Sequence, residues 1–220
     1  WERIKVSAQI GVTALLIGTF LGVTLGIFAA LARNTWLDHT IIGSVVLVDS
    51  IPVIALALPL LYLLAVRWRV VPAGGWNGLL SASAVLPILL LALGPLAVFA
   101  RQTRANLLEV INQDYIRTAR AKGAPEGQVL WGHAFANALA PVLTILALSF
   151  GGLLSGALIT ETMFAWPGMG KAIYQAILDN DYNLALIGLL IATLATLAGN
   201  LLADLAYVWV DPRVSLTGST

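Results

Sequence analysis

The run Gly168-Met169-Gly170-Lys171 spaces glycine and lysine as a phosphate-cradling loop does. Such a loop also needs glycine at 165 to turn the backbone and serine or threonine at 172 to place a hydroxyl on magnesium. Both positions are alanine, so no nucleotide site is specified. Trp166-Pro167-Gly168 reads instead as an external turn that starts a short helix. His39 and His133 lie far apart and form no metal-ligand spacing, and with no cysteine there is neither a thiolate site nor a disulfide framework. No Gly-x-Ser-x-Gly elbow and no His-Glu-x-x-His pair occurs, which leaves hydrolytic chemistry without a nucleophile or base. The chain is therefore expected to be no enzyme, to bind no cofactor and to hold no metal. What remains is charge within apolar sequence: Asp49, Glu161 and Asp204. An ionised group at membrane depth costs a few kcal/mol and faces a cavity or a partner. Asp49 precedes Ser50 and the kinking Pro52, where a contact to a cationic group, such as a peptide amino terminus, competes with a structural hydrogen bond. Glu161, between Thr160 and Thr162, has gate and structural roles open, and Asp204 reads as a cap or a structural pair.

The elements that position these residues must be membrane helices. The chain of 220 residues is 59% hydrophobic and 10% charged, with a net charge of +1, and its mean hydropathy is +0.90. That composition lies far from the roughly 25% charge of soluble domains, and no Lys/Arg cluster is dense enough to track nucleic-acid phosphates. Five spans are expected, over about 6 to 32, 40 to 66, 79 to 100, 139 to 163 and 183 to 210. Arg33, Arg101, Arg104, Arg117, Arg120, Lys122 and Arg213 fall on the side of the long polar segment 101 to 138, seven of twelve basic residues, which makes that side cytoplasmic. Trp68, Trp76 and Trp166 fall at the outer boundary, where amphipathic rings collect. Gly18, Gly22 and Gly26 form a small-xxx-small ladder, repeated at Gly152 and Gly156, suited to close helix packing or to a seam between subunits. Pro52, Pro59, Pro87 and Pro95 interrupt the spans with kinks. The chain starts at Trp1 with no charged leader, and reads as the core of a longer protein.

The polar segment forms a hairpin. From Asn106 to Lys122, apolar Leu107, Leu108, Ile111, Tyr115 and Ala119 recur at helical spacing. Gly123 supplies a left-handed helix stop, and Pro125 starts a second short helix that runs into Trp131 and Phe135. The tip, Ala119 to Ala124, is small-sided and basic. Docking into the groove of a soluble partner and lying on the membrane surface are both open to such a hairpin.

Arg117-Thr118-Ala119-Arg120-Ala121-Lys122-Gly123 resembles the coupling-loop signature of permease subunits of binding-protein-dependent ABC importers, in which Glu-Ala-Ala is followed after three residues by Gly. Arg117 and Thr118 depart from the Glu and first Ala, and His133-Ala134-Phe135-Ala136 replaces the Ile-x-Leu-Pro that usually follows. Those departures are similar to the B-type subunits of the dipeptide, oligopeptide, nickel and glutathione branch. The similarity continues through Asp114-Tyr115-Ile116, Asn137-Ala138-Leu139-Ala140-Pro141, Glu161-Thr162-Met163-Phe164-Ala165-Trp166-Pro167-Gly168-Met169-Gly170, Asp181-Tyr182, Asp204 to Tyr207 and Asp211-Pro212-Arg213.

The resemblance implies an all-α polytopic membrane protein of about five transmembrane helices, the type I transmembrane domain of such permeases, occupying 1–220 with its coupling segment at 106–138. It implies that Arg117, Thr118, Ala119, Arg120, Ala121, Lys122, Gly123 and Ala124 couple to two cytoplasmic ATPase subunits, which carry the ATP and magnesium. It further implies a second, similar permease, an external solute-binding protein and a bacterial or archaeal plasma membrane. The segment of Glu161 and Trp166 would lie at the outer gate, with Asp49 and Ser50 as candidates for the pathway. Peptide is the expected solute, with nickel or glutathione as alternatives. A carrier driven by an ion gradient would be expected to show an inverted repeat, which the sequence does not, and a membrane scaffold would have no use for the coupling loop.

Overall fold

The computed structural model describes residues 2–153 and 158–210, and these are helical except at the turns. Gly156 and Asp211-Pro212-Arg213 lie outside the described residues, as do the side chains of His133, Asp204 and Tyr207 and the surroundings of Gly152. The long apolar helices are α1 (Glu2–Leu31), α4 (Ala82–Ile111), α7 (Phe135–Leu153) and α10 (Tyr182–Val210). Between them lie α2 (Trp36–Asp49), α3 (Val53–Leu61), α5 (Asp114–Ala121), α6 (Glu126–Gln128), α8 (Leu158–Met163) and α9 (Met169–Leu178).

The glycine ladder of α1 is the intramolecular seam with α4. A Cβ on Gly18 would stand 2.5 Å from the Ala92 carbonyl oxygen, one on Gly22 2.6 Å from that of Leu96, and one on Gly26 2.6 Å from that of Ala100. Each four-residue step along α1 meets a four-residue step along α4 in the same direction, so the two helices run parallel with backbones in contact. Parallel helices need a return crossing between them, and the chain supplies it through α2 and α3. Asn106 on α4 donates to the Ala138 carbonyl, 3.4 Å away, while Phe99 packs with Val142, so α7 runs antiparallel to α4.

Three expected boundaries move. The second span is not one straight helix: α2 and α3 meet at a bend of 92° across Ser50–Pro52, and α3 continues into a π-helical segment, Tyr62–Arg67. Pro52 has no amide hydrogen and restricts Ile51 to extended backbone, which makes this the place to break. Among the described residues four helices are long and apolar enough to cross alone, five if the bent pair counts as one crossing. The helix of the third span continues past Ala100 to Ile111, so Arg101 and Arg104 stand on α4. The fourth span begins at Glu126 and not near 139; α6, a π-helical segment over Val129–Ala134 and α7 follow one another without a turn, so no separate second helix forms after Pro125.

The packed interior is divided by height. At the end away from the hairpin, Val6, Ile10 and Ala14 of α1 pack with Ala84, Leu86, Ile88 and Leu90 of α4, with Ala57 of α3 and with Phe164 and Trp166. At the hairpin end, Ala30, Leu107, Ile116, Val129, Ala134 and Ala138 form a second cluster that joins α5 to α1, α4 and α7.

Candidate functional site

The amphipathic run read as one helix from Asn106 to Lys122 is two. Helix α4 ends at Ile111, Gln113 adopts an extended backbone, and α5 starts at Asp114. The elbow turns α5 off the α4 axis, and Ile116, wholly buried, seats it on Leu107 and Val129. Gly123 has φ +81°, the left-handed conformation expected of it. The Ala124 amide donates to the Ala119 carbonyl (3.2 Å) and the Gly123 amide to that of Arg120 (2.9 Å), a Schellman closure. Across the turn the Arg120 guanidinium donates to the Glu126 carboxylate, and Asp114 faces Arg117 at 3.6 Å. The guanidinium of Arg120, bonded to Glu126, is held even more firmly protonated than usual. Arg117, Thr118, Arg120, Ala121, Lys122 and Gly123 are exposed, with Ala119 and Ala124 half-buried beneath them. The hairpin is thus a short lever, anchored at its base by Ile116 and closed at its tip by backbone hydrogen bonds.

The second group of candidates sits at the break of the α2–α3 crossing. Asp49 is the last residue of α2 and pairs with Arg101 of α4 at 3.0 Å, while the Ser50 hydroxyl turns back to donate to the Val46 carbonyl. A second ion pair, unread in the sequence, ties the same two helices: Arg104 donates to Asp38 through Nε (2.6 Å) and Nη2 (2.7 Å), and the Asn34 amide donates to the same carboxylate. Asp38 is 1% exposed. The two aspartates are 11 residues apart on α2 and the two arginines 3 apart on α4, so both pairs tie the same two helices.

Glu161 and Trp166 share a corner at the opposite end. Glu161 is buried; one oxygen accepts from the Ser7 hydroxyl at 2.6 Å, and the other accepts from the Lys171 amide at 2.9 Å. The Ser7 oxygen in turn accepts from the Met169 amide. Two of the free amides that open α9 are thereby satisfied, and a carboxylate sits at the positive end of that helix. Glu161 thereby joins α1 to the start of α9. Trp166 is wholly buried within the protein at this end: Nε1 donates to the Gly75 carbonyl (3.2 Å), and its ring meets Trp76 edge-on at 5.4 Å. The Gly75 amide bonds the Phe164 carbonyl, so the loop after α3 is fastened to the turn before α9.

A Cβ at Gly168 would fall on the Glu161 carboxylate. Gly168→Ala is therefore expected to push Glu161 off its partners and lower the stability of the assembled protein by roughly 2 kcal/mol. Gly168→Ala combined with Glu161→Ser should lose less than the two single losses summed, because the smaller side chain vacates the space. Thermal midpoints of the purified variants check this.

The structure brings Glu161 and Trp166 together and leaves Asp49 and Ser50 at a different corner, joined to α4. Sequence reasoning missed Ser7, Arg101 as the partner of Asp49, and the Asp38–Arg104 pair. The signal for the pairs was the rule that an acid within a span needs a base.

Residues 22–216 match the family described as the binding-protein-dependent transport system inner membrane component. The dipeptide transport system permease protein of Escherichia coli K12 is 35% identical over 97% of this chain and 73% of its own length, and that of Bacillus subtilis is 40% identical over 96% and 68%. The oligopeptide transport system permease protein of Salmonella typhimurium is 35% identical over 95% and 68%. In fold, the chain superposes on an inward-facing structure of the MetNI methionine ABC transporter with a TM-score of 0.74 at 19% identity, covering 96% of this chain and 95% of that one. It superposes on an amino acid ABC transporter with a TM-score of 0.70 at 17% identity, covering 97% and 92%. The parallel α1–α4 seam, the bent second crossing and the hairpin after α4 thus belong to a type I permease fold of the bacterial inner membrane, and the chain is a member of the binding-protein-dependent transport permease family.

Proposed function

We propose that this permease pairs with a second, similar permease to form the pathway by which di- or oligopeptides enter the cell, and that its hairpin is the point where ATP hydrolysis acts. Residues 1–220 form one transmembrane domain, and 106–138 is its coupling segment. Arg117 to Ala124 fit a cleft on a cytoplasmic ATPase, two of which bind ATP and magnesium, and an external binding protein delivers the solute. Peptide is favoured over nickel or glutathione because the similar permeases are named for dipeptides and oligopeptides.

The observation that carries the coupling role is mechanical. The tip is closed by the Gly123 turn, the arms are joined by Arg120 and Glu126, and Ile116 seats the base among α1, α4 and α7. A push on the tip is passed to three membrane helices instead of being absorbed by a loop. Cycles of ATP binding would then rock these helices between inward-open and outward-open arrangements, with movement of α4 carried to the broken crossing through its two ion pairs.

The test uses the absence of native cysteine. Ala121→Cys in the complete importer is expected to crosslink to a cysteine in the cleft of the ATPase, with a yield that changes with ATP. A residue 121 that stays accessible and uncrosslinked in a complex that still transports would assign the motion elsewhere and favour a gradient-driven carrier.

A further inference from the structure

At the end away from the hairpin, a groove of about 480 Å³ runs between the start of α1, the length of α9 and the start of α10. Ile4 of α1, Met169 and Ile173 of α9, and Ile187 and Ile191 of α10 supply its walls. Gly188, also on the groove, brings α10 onto α9: a Cβ there would stand 2.7 Å from Ile173 Cγ1. The charged residues among those that line it are Glu2 and Arg3, both in the first turn of α1.

The depth of the groove follows from the helices that line it. Helix α10 starts at Tyr182, directly after the polar run Asp179-Asn180-Asp181, and α1 carries its charges at Glu2, Arg3 and Lys5 before a charge-free run that opens at Val6. Ile187 and Ile191 stand about 8 and 14 Å along α10 from Tyr182, within the roughly 15 Å of one hydrocarbon leaflet. Arg3 lies at headgroup level. Glu2 is taken up by Lys5 at 2.8 Å, whereas Arg3 is exposed and has no carboxylate partner among the described residues. An apolar groove at that depth has no polar groups to hold water, and the unpaired guanidinium at its mouth complements an anion.

We propose that this groove binds a membrane phospholipid of the leaflet opposite the hairpin, with one acyl chain between α9 and α10 and the phosphate on Arg3. An acyl chain gains no hydrophobic free energy by leaving bulk lipid for protein, since both surroundings are apolar. Retention comes instead from packing in a shaped groove and from the charge-assisted, two-pronged contact that a guanidinium makes to phosphate. A lipid so placed touches α1, α9 and α10 at once. It braces the corner where Glu161 and Ser7 hold the start of α9, and it does so whatever solute is carried.

The experiment places the complete importer in vesicles that contain phosphatidylglycerol with a diazirine midway along one acyl chain, and maps by mass spectrometry where light attaches it. In the unmodified protein, labelling is expected to concentrate within residues 172–191 above the level on the rest of the membrane surface. Arg3→Gln should lower that labelling about threefold, the worth of an exposed charge contact, while Arg3→Lys keeps more of it because the charge remains. Ala172→Trp fills the groove from α9 without touching Arg3 and should abolish the excess; Ile187→Trp fills it from α10 should the first protein not assemble. Labelling that is equal in the unmodified protein, Arg3→Gln and the groove-filled variant would mean ordinary contact with bulk lipid and overturn the site. No labelling there, with Ile187→Cys crosslinking to a neighbouring protein segment, would overturn it as well and give the groove a protein occupant.

Discussion

Arg104→Ala is expected to cost the assembled protein about 3 kcal/mol, at the lower end of what is lost when one member of a buried ion pair is removed. The arginine is partly accessible, but Asp38 is not, and without the guanidinium its carboxylate keeps only the Asn34 amide. Water cannot easily take the vacant place. The loss arises from leaving a charge unpaired, more than from the worth of the pair itself. Asp38→Asn combined with Arg104→Ala should therefore recover most of the stability, because a neutral amide can still accept from Asn34. Arg104→Lys should fall between, since a single ammonium cannot reproduce the two-pronged contact. Thermal midpoints of the detergent-purified complex rank the four proteins; a double variant no more stable than Arg104→Ala would show that the site needs the arginine for shape and not for charge.

Part of this architecture was legible because composition and spacing act locally. Long apolar runs fix α1, α4, α7 and α10 as membrane helices, and Gly123 fixes the tip of the hairpin because the left-handed turn carries a penalty for other residues. The elbow at Asn112 and Gln113 was not legible. Leu108, Ile111, Tyr115 and Ala119 keep helical spacing straight through it, so periodicity reports one helix where the backbone makes two. The start of the fourth crossing was hidden for the opposite reason. Gly127, Gln128 and Gly132 interrupt the apolar run, so the short helix expected from Pro125 reads as separate from the span, whereas helical backbone continues from Glu126 onward, π-helical in the middle, with no turn between hairpin and span.

The site residues divide along the same line. A turn is decided by neighbours in sequence; a carboxylate's role is decided by partners far from it. Glu161 is defined by Ser7, 154 positions earlier, and no local pattern announces that a serine near the start of the chain will cap α9. The same holds for Trp166, whose N–H is satisfied by the distant Gly75 carbonyl, which allows full burial. The ion pairs were half legible: acids in spans demand bases, but which arginine serves which aspartate depends on how α2 lies on α4, which no local pattern states.

The α1–α4 seam yields the other large effect. Gly22→Ala is expected to destabilise by about 1–3 kcal/mol, and Gly22→Leu to prevent recovery of a folded, assembled importer. A Cβ there meets the Leu96 carbonyl oxygen at 2.6 Å and the Phe99 Cβ at 2.9 Å. The nearer obstacle is backbone, so no change of rotamer, and no smaller side chain on α4, relieves it; the helices must separate. Separation also undoes the neighbouring contacts at Gly18 and Gly26, because two rigid parallel helices cannot part at one rung alone. Gly94 of α4 is the control, since a Cβ there meets nothing within 4 Å. Gly94→Ala should be neutral or slightly stabilising, as alanine favours helix over glycine by about 1 kcal/mol. Folded yield and thermal midpoint after membrane extraction distinguish the two. Equal sensitivity at positions 22 and 94 would mean that glycine is needed for helix flexibility, whereas loss at 22 alone ties the ladder to the close approach that keeps α1 and α4 moving as one body when the hairpin is pushed.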